Sequence, residues 1–157
     1  MLRIGLISDT HGLLRPEAEA FLKGSDHIIH GGDIGSQSVL DRLWLLAPVT
    51  AVRGNVDKGA WADLLPGNDC LQIGEVFIHV LHDLSELNID PVAAQVHVIV
   101  CGHSHVPRVS ECDGVLYVNP GSAGPRRFKL PVSAAELLVS GSRTSARIVE
   151  LEIRSAK

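Results

Sequence analysis

Aromatic residues are scarce: two Trp, one Tyr and three Phe make up only 4% of the 157 residues. Proteins that hold single-stranded nucleic acid by base stacking draw on such rings. A basic excess is missing as well. Fourteen Lys and Arg stand against 18 Asp and Glu, a formal net charge of −4, which argues against a nucleic-acid footprint. The one basic cluster, Arg126, Arg127 and Lys129, is short. Long apolar runs are absent too: nothing approaches the ~18 residues of a membrane span. The apolar stretch after Arg3 stops at Asp9, too soon for a signal peptide and without a small-residue cleavage site. The three cysteines (Cys70, Cys101 and Cys112) are odd in number and form no CxxC pair. That pattern argues against a disulfide framework and fits a reducing compartment, so the expected location is the cytoplasm, with no membrane partner.

With 45% hydrophobic and 20% charged residues, the composition is that of a globular protein. The length fits one domain spanning residues 1–157, large enough to bury a core without a structural metal. Any metal it binds is therefore expected to serve chemistry. The first half reads as a β-α-β-α-β run: strands at Leu2–Ser8, Asp26–His30 and Pro48–Arg53, with helices at Pro16–Lys23 and Ser36–Leu46 between them. Such a run favours a parallel sheet with right-handed crossovers. The second half reads as hairpins, Asp69–Ile73 with Val76–Leu81, Val106–Ser110 with Val115–Val118, and Val132–Val139 with Ala146–Ile153, around a buried strand at Val96–Cys101. The expected fold class is α/β, with two packed β-sheets and helices outside them.

The informative polar residues follow predicted strand ends. Asp9 and His11, Asp33, Asn55, His82, and His103 with His105 each do so, and Gly12, Gly31, Gly32, Gly54 and Gly102 sit beside them. In an open α/β sheet the carboxyl ends of the strands share one edge, where ligands bind. Carboxylate, imidazole and amide oxygen are mixed N/O donors suited to divalent metals, without thiolate. On an extended backbone, Asp-x-His and His-x-His place both donors on the same side. One such motif alone is more often a solvated or hydrogen-bonded polar stretch than a ligand pair. His27, His79 and His97, inside or beside strands, are assigned no role.

Asp9-Thr10-His11-Gly12, Gly31-Gly32-Asp33, Gly54-Asn55, the later His82 and Gly102-His103-Ser104-His105 resemble, in order, the motifs of calcineurin-like metallophosphoesterases. Asn119-Pro120-Gly121-Ser122 with the subsequent Pro125-Arg126 is similar to the short phosphodiesterase branch of that superfamily. The resemblance covers residues 2 to about 127. It implies a four-layer α/β/β/α sandwich of two mixed β-sheets flanked by helices. It also implies two divalent metal ions, with Mn²⁺ favoured over Mg²⁺, Fe, Ni²⁺ or Zn²⁺. Asp9, His11 and His105 would hold one ion and Asn55, His82 and His103 the other, with Asp33 bridging. The implied activity is a phosphodiesterase on small or activated diesters, working by attack of a metal-bridging hydroxide. Asp33, Asn55 and Asp57 form the implied catalytic set, Asp57 by positioning a metal ligand.

Two departures stand out. Larger members carry His after the Gly-Asn pair, where this chain has Val56, which transfers no proton. Members usually show His-Gly-His where this chain has His82-Asp83-Leu84. Asn119, Arg126 and Arg127 are the candidate substrate contacts, the bland alternative being a turn after a strand. A small phosphate ester is the expected partner, and an oligomer stays open. The competing readings are a phosphomonoesterase and a non-catalytic scaffold like the retromer subunit that resembles this fold. The scaffold reading predicts damaged metal ligands.

Overall fold

The central strand of the first sheet, β1 (Leu2–Ile7), is buried over its last four residues. In the computed structural model, which describes residues 1–153, it leads into α1 (Pro16–Leu22), β2 (His27–His30), α2 (Gln37–Trp44) and β3 (Val49–Ala51). β1 pairs in parallel with β2, and β2 with β3, as the β-α-β-α-β reading expects. α2 forms where apolar residues repeat at helical spacing: Val39, Leu40 and Leu43 are its buried side chains. α1 opens at Pro16, where a missing N–H costs nothing.

A four-residue helix, α3 (Ala60–Asp63), which the sequence does not announce, leads into β4 (Asn68–Ile73) and β5 (Val76–Leu81). After a 3₁₀ turn (Leu84–Glu86) come β6 (Val98–Val100), β7 (Arg108–Cys112), β8 (Val115–Asn119), β9 (Ser133–Ser140) and β10 (Arg143–Glu150). β7 starts two residues later than expected, because its hairpin closes on Asp113 and Gly114, both at positive φ (52° and 78°). That is the two-residue turn whose twist suits a hairpin.

The strands make two five-stranded sheets, ordered β10-β9-β1-β2-β3 and β4-β5-β6-β8-β7. The C-terminal hairpin joins the first sheet by antiparallel pairing of β9 with β1. Both sheets are thus mixed, and parallel strands lie at the centre of each. Alternate residues of each sheet fill the space between them: Ile4 and Leu6 of β1, Ile78 and Val80 of β5, and Ala135 and Leu137 of β9 belong to one buried cluster. The helices close the outer face of the first sheet, with Ala18, Leu22, Val39 and Leu43 packed near Ile7 and Ile28.

The two mixed sheets with outer helices are the α/β sandwich the resemblance implies, and the outer layer on the second sheet is the slighter one. Leu81, Val96, Ile99, Cys101 and Val115 are covered there by Leu87 and Ile89. The 3₁₀ turn and a turn at Pro91–Gln95 form that outer layer. Asp83 and Asp90 each cap one of these turns with a side-chain oxygen, and Pro91 favours a turn over a continuous helix. Among the described residues, no helix is long and apolar enough to cross a membrane. All three cysteines are free thiols.

Ile78 is fully buried between the sheets, whereas its neighbour Phe77 is 41% exposed. Ile78→Ala is expected to cost about 2–5 kcal/mol and Phe77→Ala clearly less, read from urea denaturation midpoints. Equal costs would contradict the two-faced packing of β5.

Candidate metal centre

The carboxyl ends of β1, β2, β3, β5 and β6 meet along one rim, and each enters a short loop bearing candidate ligands. These loops are fastened to one another through the backbone. The N–H groups of Asp9, His11 and Gly12 donate to the carbonyls of Gly32, Asp33 and Ile34 at 3.0, 2.9 and 2.7 Å. Gly54 lets the third loop close on the second: a Cβ there would lie 2.2 Å from the Asp33 nitrogen.

The extended spacing expected for Asp-x-His and His-x-His is not what brings the donors together. Asp9, His11, Asp33, His103 and His105 have φ of 54°, 47°, 55°, 73° and 64°. They are five of the eight non-glycine residues at positive φ among the described residues. The loops turn in the left-handed region, which costs about 1–3 kcal/mol per such residue and is characteristic of functional sites.

Asp9 has no exposed surface. Its Oδ2 accepts from the Ser8 hydroxyl (2.8 Å) and the His103 N–H (3.1 Å), while Oδ1 has no hydrogen-bond partner. That orphaned oxygen instead lies 3.4 Å from His105 Nε2, 3.9 Å from His82 Nε2 and 4.0 Å from His11 Nε2. Asp33 Oδ2 lies 3.2 Å from His82 Nε2 and 3.7 Å from His11 Nε2; its Oδ1 accepts from the Val56 N–H. The Nε2 atoms of His11 and His105 are 3.4 Å apart. On the other side, His82 and His103 meet edge to face at 5.2 Å. The Nδ1–H of His82 donates to the Gly31 carbonyl at 2.8 Å, so its Nε2 is the nitrogen turned toward the carboxylates.

Asn55 points the same way. With its amide nitrogen inward, it reaches His82 Nε2 at 3.1 Å and the two Asp33 oxygens at 3.2 and 3.3 Å. With its oxygen inward, as a metal ligand requires, that oxygen meets only acceptors unless a cation lies among them.

Burial pushes the Asp9 carboxyl up to about 6, against the pull of the Ser8 bond and the His82 charge. Burial would raise Asp33 too, but the contact with His82 and the Val56 N–H bring it below its ordinary value. Burial would lower His82, yet Asp33, the Gly31 carbonyl and Asp9 together raise it. Burial, helped by the charge of Arg127, lowers His105 to about 4, leaving a neutral imidazole ready to coordinate. A metal ion among these carboxylates would carry more positive charge than a protonated His82.

These donors fit a divalent cation. One ligand atom each from Asp9, His11 and His105, and one each from Asp9, Asp33 and His82, lie within 4.8 Å of one another. The first trio is the set the resemblance implies for one ion. The second shares Asp9 with it and adds Asp33 and His82, while His103 lies outside both trios. His103 is about half exposed, its Nε2 3.7 Å from Asp83 Oδ2. Asp83 supplies His103 with a carboxylate neighbour, and its Oδ1 also accepts from Ser85.

The remaining candidates divide. Asp57 is buried and accepts from three backbone amides, Ile34, Gly35 and Gly54. It ties the loop of Asp33 to that of Asn55 and so acts on position. Asn119 spends its amide on the Gly102 carbonyl, the Ser104 hydroxyl and the Gly121 N–H, bracing the loop of His103 and His105. Arg126 bonds the carbonyl of Leu130 in its own loop. Arg127 is the basic residue whose charge reaches the site.

His30 was missed by sequence reasoning. Fully buried, it bonds the Thr10 hydroxyl at 3.0 Å and accepts from the Gly32 N–H at 3.1 Å, joining the first two ligand loops. Burial drops its pKa to about 3, so it is neutral. A polar residue closing a buried strand just before Gly31-Gly32 was the available signal, since a buried imidazole demands partners.

A model of the calcineurin-like phosphoesterase superfamily domain matches residues 2–141. The chain is 33% identical over 163 residues to the probable metallophosphoesterase MJ0623 of Methanocaldococcus jannaschii, covering 95% of this chain and 81% of that protein. It is 31% identical to a probable metallophosphoesterase of Methanothermobacter thermautotrophicus, covering 93% and 91%. Among solved structures, Vps29 of Chaetomium thermophilum superposes with a TM-score of 0.77 at 19% identity, covering 95% of this chain and 97% of that one. At that identity the likeness is one of fold.

Two of the shifts make the metal-free fold lose stability as pH climbs. For Asp9, with its raised pKa, the loss runs from the ordinary carboxylate range through about 6. His82, also raised, adds stability at low pH that is lost as pH climbs through its folded value. A metal ion needs both groups deprotonated. Mn²⁺ is therefore expected to raise Tm more at about pH 7.5 than at about pH 5. Differential scanning fluorimetry checks this, and equal shifts at both pH values would contradict it. Asp57→Ala is expected to weaken Mn²⁺ affinity about 10–100-fold, measured by titration calorimetry.

Proposed function

The chain belongs to the calcineurin-like phosphoesterase superfamily, and we propose that it is a dinuclear-metal phosphodiesterase acting on small or activated diesters. The observation that carries the reading is the solvent-free Asp9 carboxylate, one oxygen unbonded, set among three imidazole nitrogens beside a second carboxylate. Asp9, His11 and His105 would hold one ion. Asp33 would bridge, and His82 with Asn55 and His103 would hold the second. Two such ions would supply Lewis-acid charge to a phosphoryl group and would acidify a bound water. We favour Mn²⁺ as the metal and the cytoplasm, where three free thiols stay reduced, as the location.

The chain's own residues hold and orient the donors. Ser8 and the His103 N–H keep Asp9 in one rotamer, and the Gly31 carbonyl fixes the His82 tautomer. Asp57 and Asn119 keep the facing loops at a fixed separation. Arg127 adds positive charge beside His105, where the phosphate would approach. Arg15 and Arg126 are engaged with the carbonyls of Gly124 and Leu130, so the second negative charge of a monoester finds little extra to meet. This favours the diester over the monoester. The scaffold reading expects damaged ligands, and every ligand position carries a donor.

The decisive assay is hydrolysis of bis-p-nitrophenyl phosphate by metal-stripped protein with Mn²⁺ restored, beside p-nitrophenyl phosphate. Mn²⁺-dependent turnover faster on the diester is expected. No turnover with any divalent metal, in folded protein, would overturn the proposal. Asp33→Asn should lose more than about 100-fold, beyond the loss typical of an outer partner. Val56 is 44% exposed and offers no proton. Val56→His is therefore expected to speed a diester with an alkyl leaving group, by up to about 100-fold, while changing the nitrophenyl ester little. Equal effects on both esters would show that no leaving-group proton is missing.

A further inference from the structure

The thin cover on the outer face of the second sheet has a chemical consequence beside the metal centre. A cleft of about 400 Å³ opens there, with Asn55, His82 and His103 on one side and Asn68, His79 and Glu86 among its other lining residues. It runs from the candidate ligands to the 3₁₀ turn.

His79 gives this cleft a built wall. It is only 6% exposed and lies on the face of β5 opposite the inter-sheet core, across the ladder from Cys70. Its Nδ1 is 3.5 Å from Cys70 Sγ. Burial raises the Cys70 thiol and lowers the His79 imidazole, so both are neutral near pH 7. His79 Nε2 has no hydrogen bond to a described residue, and the ring lines the cleft, so this nitrogen is open to a ligand there. The side chains of Asn68, Glu86 and Asn88 also lack hydrogen-bond partners among the described residues.

The charge in the cleft is one-sided. Asp83 and Glu86 bring two carboxylates. The facing cation, Arg53, is committed to the carbonyls of Leu65 (2.8 Å) and Ala62 (3.4 Å). Hydrogen-bonding amides, an imidazole and carboxylates suit an ammonium or hydroxyl group and repel a second anion.

We propose that this cleft is the subsite for the alcohol portion of the ester, and that it selects a small polar alcohol bearing an amine or hydroxyls over an anionic one. The proposal rests on the phosphoesterase reading and names the substrate class of the same site. His79, with no role in the sequence reading, becomes a specificity residue, and Glu86 its acidic counterpart.

Two mixed p-nitrophenyl phosphodiesters test it, one carrying ethanolamine and one carrying glycolate as the second alcohol, so that the leaving group is the same. With Mn²⁺ present, kcat/KM is expected to favour the ethanolamine ester by at least about tenfold. Glu86→Gln, on an exposed turn, should cut that ratio about threefold or more. In the Mg²⁺-loaded protein, O-phosphoethanolamine should shift the His79 ring resonances beyond the effect of inorganic phosphate. A ratio near one with turnover intact, or a ratio unmoved by Glu86→Gln, would overturn the subsite while leaving the phosphoesterase standing. If neither ester turns over with any divalent metal, the phosphoesterase reading falls instead. The His79 shift then decides the cleft, a shift supporting it and no shift overturning it.

Discussion

The Asp9 carboxylate is sealed from solvent with one oxygen lacking any hydrogen-bond donor. A buried carboxylate left unpaired is costly enough that proteins usually neutralise it or pair it. Here the neighbours of that oxygen are imidazole nitrogens, and a second carboxylate stands beside them. The local structure reads as a consequence. Five ligand-bearing residues hold left-handed backbone, strain that persists only where the surroundings overdetermine it. His30, Asp57 and Asn119 provide that overdetermination, each tying together two segments of the rim. None of the three needs to touch a substrate to matter.

The sheets make this arrangement possible. Parallel strands at the centre of each sheet send their carboxyl ends to the same rim, so donors spread from Asp9 to His105 converge. The antiparallel hairpin β9–β10 caps the first sheet away from the site. The slighter outer layer of the second sheet lies beside the metal centre, and the cleft opens between the candidate ligands and the 3₁₀ turn.

Much of this was legible in the sequence. Gly-flanked polar clusters at strand ends marked the rim, and helical spacing at Val39, Leu40 and Leu43 marked α2. The backbone route was not legible. Pairs such as Asp9 and His11 have the same i, i+2 spacing whether the chain is extended or left-handed, and only the structure shows that it is left-handed. Asn119 is a candidate substrate contact through its Asn-Pro-Gly-Ser motif, and in the structure its amide bonds loop backbone and Ser104. Asp83 looked like a loss of Gly and is a neighbour of His103 instead. The outer turns at residues 84–95 were hidden because Leu87 and Ile89 supply apolar cover without helical periodicity.

The central claim is that the rim is a cation site built around Asp9 and Asp33. Anomalous diffraction from crystals grown with Mn²⁺ tests it most directly, because it locates the metal without relying on turnover. The account predicts two anomalous peaks, one among Asp9, His11 and His105 and one beside Asp33 and His82, with Asn55 turned oxygen-inward. Mn²⁺ absent from the rim at saturating concentration, or bound only elsewhere on the protein, would contradict it.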